Sequence, residues 1–223
     1  MPVVAAAAVP VQALPYLLVV LLLAGLTLPP GWAGLQPIDA LLLLVAWGVY
    51  LARALLRPRR AAEPGPAAEL PVSRAALLGV PAIGLGALAS VVAAQRLGQA
   101  FGASDLVVGL FVIGLLCALP ESFAAWHLAR EGKTTTAVST AMADGIVSLT
   151  VAMVAPALAG ATVGDVPLYL ANLANLAFLG FVLVSYIALN HLRWGQELSL
   201  GRVSIFVGGY AVYLVAVAYL LAR

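Results

Sequence analysis

The chain of 223 residues is 64% hydrophobic and 9% charged, with a mean hydropathy of +1.08, which excludes a soluble domain, because a water-facing surface needs far more charge. The net charge is +2 and the arginines sit in short loops, which excludes a nucleic-acid-binding patch. A single cysteine, Cys117, excludes an internal disulfide and any metal site built from several thiolates.

Crossing the hydrocarbon layer takes about 20 apolar residues. Seven stretches come near that: Val11–Leu28, Ala40–Leu56, Ala75–Ala94, Leu106–Leu128, Thr134–Leu158, Val166–Leu189 and Val203–Leu221. The first is short and ends at Pro29-Pro30. No lysine or arginine precedes it, unlike the basic start of a cleavable signal, so it is expected to be a permanent helix. Residues 1–57 thus form two N-terminal spans. Pro58–Arg74, rich in proline, alanine and charge, is expected to be a cytoplasmic linker. Residues 75–223 form a five-helix membrane region. The fold class is all-α, with about seven transmembrane helices.

Basic residues set the orientation. Arg53, Arg57, Arg59, Arg60, Arg74, Arg130, Lys133, Arg193 and Arg202 all fall on one side of a seven-span chain, and only Arg96 and Arg223 on the other. Basic loops stay in the cytoplasm, so the amino terminus is expected inside and the carboxyl terminus outside the cell membrane.

Glu121 and Asp144 are exceptions to the placing of charge in loops. A carboxylate at the bilayer centre costs at least about 2.5 kcal/mol on insertion scales, which makes it a functional candidate. Glu121 precedes Arg130 by nine residues and Asp144 follows Lys133 by eleven. At 1.5 Å rise per residue, both lie roughly 14–16 Å from the cytoplasmic edge on consecutive antiparallel helices. Thr136, Thr140, Asp144 and Ser148 recur every four residues and share one face. Pro120 frees a carbonyl near Leu116. Carboxylates, hydroxyls and a freed carbonyl are hard oxygen ligands suited to Na⁺ or Ca²⁺. Other readings stand beside this one. Hydroxyls in membrane helices bond back to the preceding turn, and a lone carboxyl can be protonated and serve packing alone. Cys117 is either a soft ligand one turn before Glu121 or a small packing residue.

Several polar residues have simpler roles. Asn172 and Asn175 suit interhelical hydrogen bonds. Trp47, Trp126 and Trp194 suit interfacial anchoring, as do His127 and His191. Tyr210, Tyr213 and Tyr219 suit packing on the last helix.

The stretch Ser104–Ser148, containing SDLVVGL, Leu119-Pro120-Glu121 and TAMADGIVS, resembles an α-repeat of the sodium/calcium exchanger (cation/Ca²⁺ antiporter) superfamily. Those repeats carry G-T-S-L-P-E on one helix and G-S-N-x-x-N on the next. The repeat spans about residues 104–160, and residues 75–223 resemble the second half of such an exchanger. The resemblance implies an antiporter that exchanges Ca²⁺ or another cation against Na⁺ or H⁺. It implies a cation site at Glu121, Asp144, Ser148, Thr140 and Cys117, with Glu121 and Asp144 as the metal-binding carboxylates, no resident cofactor and no enzymatic activity. The chain departs from the pattern at Leu116, Cys117 and Ala118, which stand in place of G-T-S, and at Asp144 and Ser148 in the second motif. No second repeat occurs in the sequence. The implied partners are the bilayer, a cation and a second membrane subunit bearing the inverted repeat, with a homodimer disfavoured by the charge bias. The alternative is a non-transporting membrane scaffold or regulatory subunit that keeps a degenerate exchanger fold.

Overall fold

A computed structural model of the chain describes residues 12–29, 34–56, 74–104, 107–163, 165–191 and 200–221. Its helices are α1 (Leu14–Thr27), α2 (Pro37–Leu56), α3 (Arg74–Ala100), α4 (Gly114–Arg130), α5 (Thr134–Leu149), α6 (Val154–Leu158), α7 (Val166–His191) and α8 (Leu200–Leu221). A π-helical turn, Val108–Ile113, leads into α4. Five segments are long and apolar enough to cross a membrane: Pro37–Leu56, Phe111–Arg130, Thr134–Leu158, Val166–Leu189 and Val203–Leu220. The protein is an all-α, multi-pass membrane protein. Arg57, Arg59, Arg60, Arg193, Trp194, Arg223 and nearly all of the expected linker lie outside the described residues.

Local sequence explains the helix ends. Pro15 sits in the first turn of α1, where a missing N–H removes no helical bond. Pro37 opens α2 for the same reason. Asp39 then reaches back, and its Oδ2 accepts the Gln36 N–H at 2.7 Å, half of a capping box that buries the carboxylate without orphaning it.

The fifth expected span is broken. Thr134–Leu158 divides into α5 and α6, with turns at residues 150–153 between them. Thr150 is fully buried, and its Oγ1 donates to the Ile146 carbonyl at 2.6 Å. The Val147 carbonyl accepts from Thr150 N and from Ala152 N, both at 3.2 Å. Side-chain competition for the backbone thus ends one helix. Pro156, in the first turn of α6, is tolerated where the next begins. Trp47, expected at an interface, lies midway along α2.

The chain divides into two compact units, Met1–Leu56 with Pro120–Arg223, and Arg57–Leu119. In the first, α1 packs against α5 and α7, α2 against α6, and α7 against α8. Val19, Val20, Leu23, Leu26 and Thr27 form the buried side of α1, while Leu43, Ile146 and Leu183 are almost wholly enclosed. Since lipid is as apolar as leucine, close packing and interhelical hydrogen bonds hold such helices together.

Those bonds are specific. Near one end of α1, Asn172 Nδ2 donates to Thr27 Oγ1 at 2.9 Å and the Tyr169 hydroxyl to the Leu28 carbonyl at 2.9 Å. Near the other, the Tyr50 hydroxyl donates to Gln12 Oε1 at 2.8 Å. Between α7 and α8 the Tyr213 hydroxyl donates to Asn175 Oδ1, and Phe178 stacks on Tyr213 with centroids 4.7 Å apart. The asparagines and Tyr213 therefore join helices, as their sequence context suggests.

The α1–α2 loop meets the α6–α7 loop. Leu35 N donates to the Ala161 carbonyl at 2.8 Å, and Gly34 pairs with Thr162. Gly34 has φ of +141°, and a Cβ there would run into the Ala161 carbonyl oxygen. Only glycine fits both demands. Both loops therefore lie at one end of the unit. In the second unit, α3 carries Pro81 within its 27 residues and packs Gly98 against Val108 of the π-helical turn.

Candidate functional site

Glu121 stands directly after Pro120 in α4. Its side chain is half-buried, and Oε2 is shut off from solvent with no hydrogen-bond partner among the described residues. A carboxylate oxygen in that state is expensive, because it has lost water and gained nothing. Such a group wants a cation or a proton.

Asp144 lies on α5, close enough to feel the charge of Glu121. The two carboxylates picked out by depth thus lie within electrostatic range of each other. Asp144 is exposed, and so are Thr136, Thr140 and Ser148 along the same face of α5. Met142 and Ile146, two residues to either side of Asp144 and so on the opposite side of the helix, are buried. The apolar side of α5 thus faces α1, and the polar side is left open. Back-bonding of hydroxyls to the preceding turn occurs at Thr27, Ser90 and Thr150, none of them on this stripe.

Cys117 is exposed and belongs to the other compact unit. Among the described residues, no group of three or more His, Cys, Asp or Glu side chains could hold a metal ion. Glu121 and Asp144 make a pair, whereas Ca²⁺ takes about 6–8 oxygen ligands. Two carboxylates offer at most part of such a shell.

The sequence did not single out Tyr16. On α1, its phenol hydroxyl lies in the space a Cβ would occupy at Gly145, and it is within electrostatic reach of Asp144. Nothing in the run LPYLLVV marks this tyrosine as different from an ordinary packing aromatic. The only sequence signal was Gly145 itself, a side-chain-free position directly after a membrane carboxylate.

The end of α4 carries a second charged group, outside the membrane-spanning segments. Glu131 Oε1 lies 3.0 Å from His127 Nε2, and Oε2 lies 2.8 Å from Lys133 Nζ. The Lys133 hydrogen bond, then the charges of Lys133 and His127, hold the Glu131 carboxyl below its ordinary value of 4.5. Arg130 rests over the Trp126 ring at 4.9 Å, a cation–π contact at the helix end.

The sodium/calcium exchanger protein family model matches residues 75–219, covering α3 to α8 and leaving α1 and α2 outside. No curated protein and no solved structure matches the chain significantly. Members of the family are transporters rather than enzymes. With its intramembrane carboxylate pair, its multi-pass helical fold and a family match over well more than half its length, the chain belongs to the sodium/calcium exchanger family of membrane cation antiporters.

Proposed function

We propose that the chain is one half of a cation antiporter that exchanges Ca²⁺ or another cation against Na⁺ or H⁺ by alternating access. In this reading Glu121 and Asp144 form one half of the ion site, and Thr140 and Ser148 add neutral oxygens from the same face of α5. The observation that carries the reading is the buried Glu121 Oε2, unpartnered among the described residues, beside a second carboxylate. A structural carboxylate is ordinarily hydrogen-bonded; this one is left ready for a cation. Cys117, one turn before Glu121 on the same helix, would add a soft thiol to this set.

The site is incomplete, and the polar face of α5 is exposed. Hydroxyls and a carboxylate are not left against lipid. A second membrane subunit of inverted orientation, carrying the other repeat, would supply the remaining ligands. The split of nine basic residues against two commits this chain to one orientation, amino terminus in the cytoplasm, and so disfavours an inverted homodimer. No resident cofactor enters the reading; the cation is cargo.

The test is cation uptake into proteoliposomes, with this protein alone and with a candidate small membrane partner. Gradient-driven flux that Glu121→Gln abolishes supports the antiporter. A pure homodimer that transports would sink the two-subunit version. Well-folded protein without flux for any cation, alone or with a partner, favours a non-transporting scaffold, a reading supported by Leu116, Cys117 and Ala118 in place of hydroxyl ligands.

A further inference from the structure

Two carboxylates offer at most four oxygens, and a hard cation also needs neutral ones. α1, outside the family-matched residues 75–219, places one such oxygen at Gly145, where it meets α5 and next in the chain to Asp144. The Tyr16 hydroxyl packs onto Gly145, and its Cζ and Cε1 lie only 2.5 and 2.7 Å from where a Cβ would stand. Gly145 is covalently next to Asp144, and the hydroxyl is within electrostatic reach of that carboxylate. The phenol could approach this closely only because residue 145 has no side chain.

The mounting of the phenol is also rigid. Thr27 and Leu28 fix one end of α1 to α7, and Gln12 fixes the other to Tyr50 of α2. A ligand on an element held at both ends stays in place as the site fills and empties.

We infer that Tyr16 belongs to the cation site, where its phenol oxygen, seated at Gly145 next in the chain to Asp144, supplies a neutral ligand. The inference rests on the reading of Glu121 and Asp144 as a cation site, and extends it to a helix that the family match does not cover. A phenol both donates and accepts. Its lone pair can face a cation in the occupied site. The ligand class is a hard cation of the alkali or alkaline-earth series, which takes oxygen.

The experiment uses sealed vesicles from cells that make the full chain together with its native partners. Gradient-driven Ca²⁺ and Na⁺ uptake is measured across a range of cation concentrations for wild type, Tyr16→Phe and Glu121→Gln. Tyr16→Phe keeps the ring packing and removes one oxygen. The expected result is a half-saturating cation concentration raised roughly tenfold, with maximal flux kept. Glu121→Gln abolishes flux. A Tyr16→Phe curve that superimposes on wild type, while Glu121→Gln is dead, overturns the role of Tyr16 and leaves the carboxylate site standing. A fall in maximal flux at unchanged half-saturation also overturns it, because it marks a structural contribution only. Wild type that carries no cation overturns both readings.

Discussion

The phenol of Tyr16 fills the volume that a Cβ would need at Gly145, so α1 and α5 approach as they do because residue 145 carries no side chain. Gly145→Ala forces the ring or the helix to move. Overpacking of this kind costs about 1–3 kcal/mol, and a lower unfolding midpoint in detergent is expected. Tyr16→Ala makes room, so the double variant should lose less stability than the two single losses summed. Strict additivity would mean that the two residues do not meet.

Glu121 gives the opposite expectation for stability. Its Oε2 is buried and unpartnered among the described residues, so the empty protein carries an unfavourable group. Glu121→Gln replaces a buried charge with a neutral amide and should leave the unfolding midpoint unchanged or raise it, by an amount on the order of 1 kcal/mol, while abolishing flux. A marked fall in the midpoint would identify Glu121 as a structural group with a partner.

Thr27 joins two helices through one oxygen. Its Oγ1 donates to the Leu23 carbonyl and accepts from Asn172. Thr27→Val keeps the shape and strands the Asn172 amide. Interhelical bonds in membrane proteins average roughly 0.6 kcal/mol, with a maximum near 1.7. A double-mutant cycle of Thr27→Val with Asn172→Leu should return a coupling in that range, and a coupling of zero would show that the bond contributes nothing.

At the end of α4, Glu131 titrates below 4.5 because Lys133 hydrogen-bonds its carboxylate and the charges of Lys133 and His127 add to that effect. A depressed folded value means that the contacts help the loop above the ordinary value and are lost as pH falls through the lower one. Lys133→Ala should move the Glu131 midpoint back up toward 4.5, read by carboxyl NMR. An unmoved midpoint would remove Lys133 as the cause. The pair is fully exposed, so global stability should hardly change with pH in this range.

Five of the seven expected spans were legible because bilayer thickness sets their length, and unbroken apolar runs reveal it; Val11–Leu28 yields only the shorter apolar helix Leu14–Thr27, and Ala75–Ala94 is not among the five. Counting residues from Arg130 and Lys133 also placed Glu121 and Asp144 at one depth, and the two lie within electrostatic range of each other. The break after Leu149 was not legible, since TVAMVAPAL is as apolar as its surroundings and the cause is a hydroxyl bond from Thr150. The reach of Tyr16 was hidden for a different reason. α1 is apolar on nearly every side, so nothing in its periodicity says which face meets α5. Alternation of polar and apolar residues reveals a buried face in water; in lipid that contrast is absent. The pairing of Gly34 with Thr162 joins residues far apart in the chain, and a single sequence carries no trace of such partners.

That pairing has a mechanical meaning. With Leu35 bonded to Ala161, the loops beyond α1 and α6 are fastened at one end of the unit, and among the described residues no such backbone bond joins the opposite ends of α1 and α5. Any relative motion of the two helices is then a swing about the fastened end. A tilt of roughly 5° about it would carry the far end of a sixteen-residue helix such as α5 through about 2 Å. Since α1 is also tied to α2 at Gln12, the helix left to swing is α5. Such a lever arm converts a small change of packing at Gly145 into a larger displacement at the Thr134 end of α5.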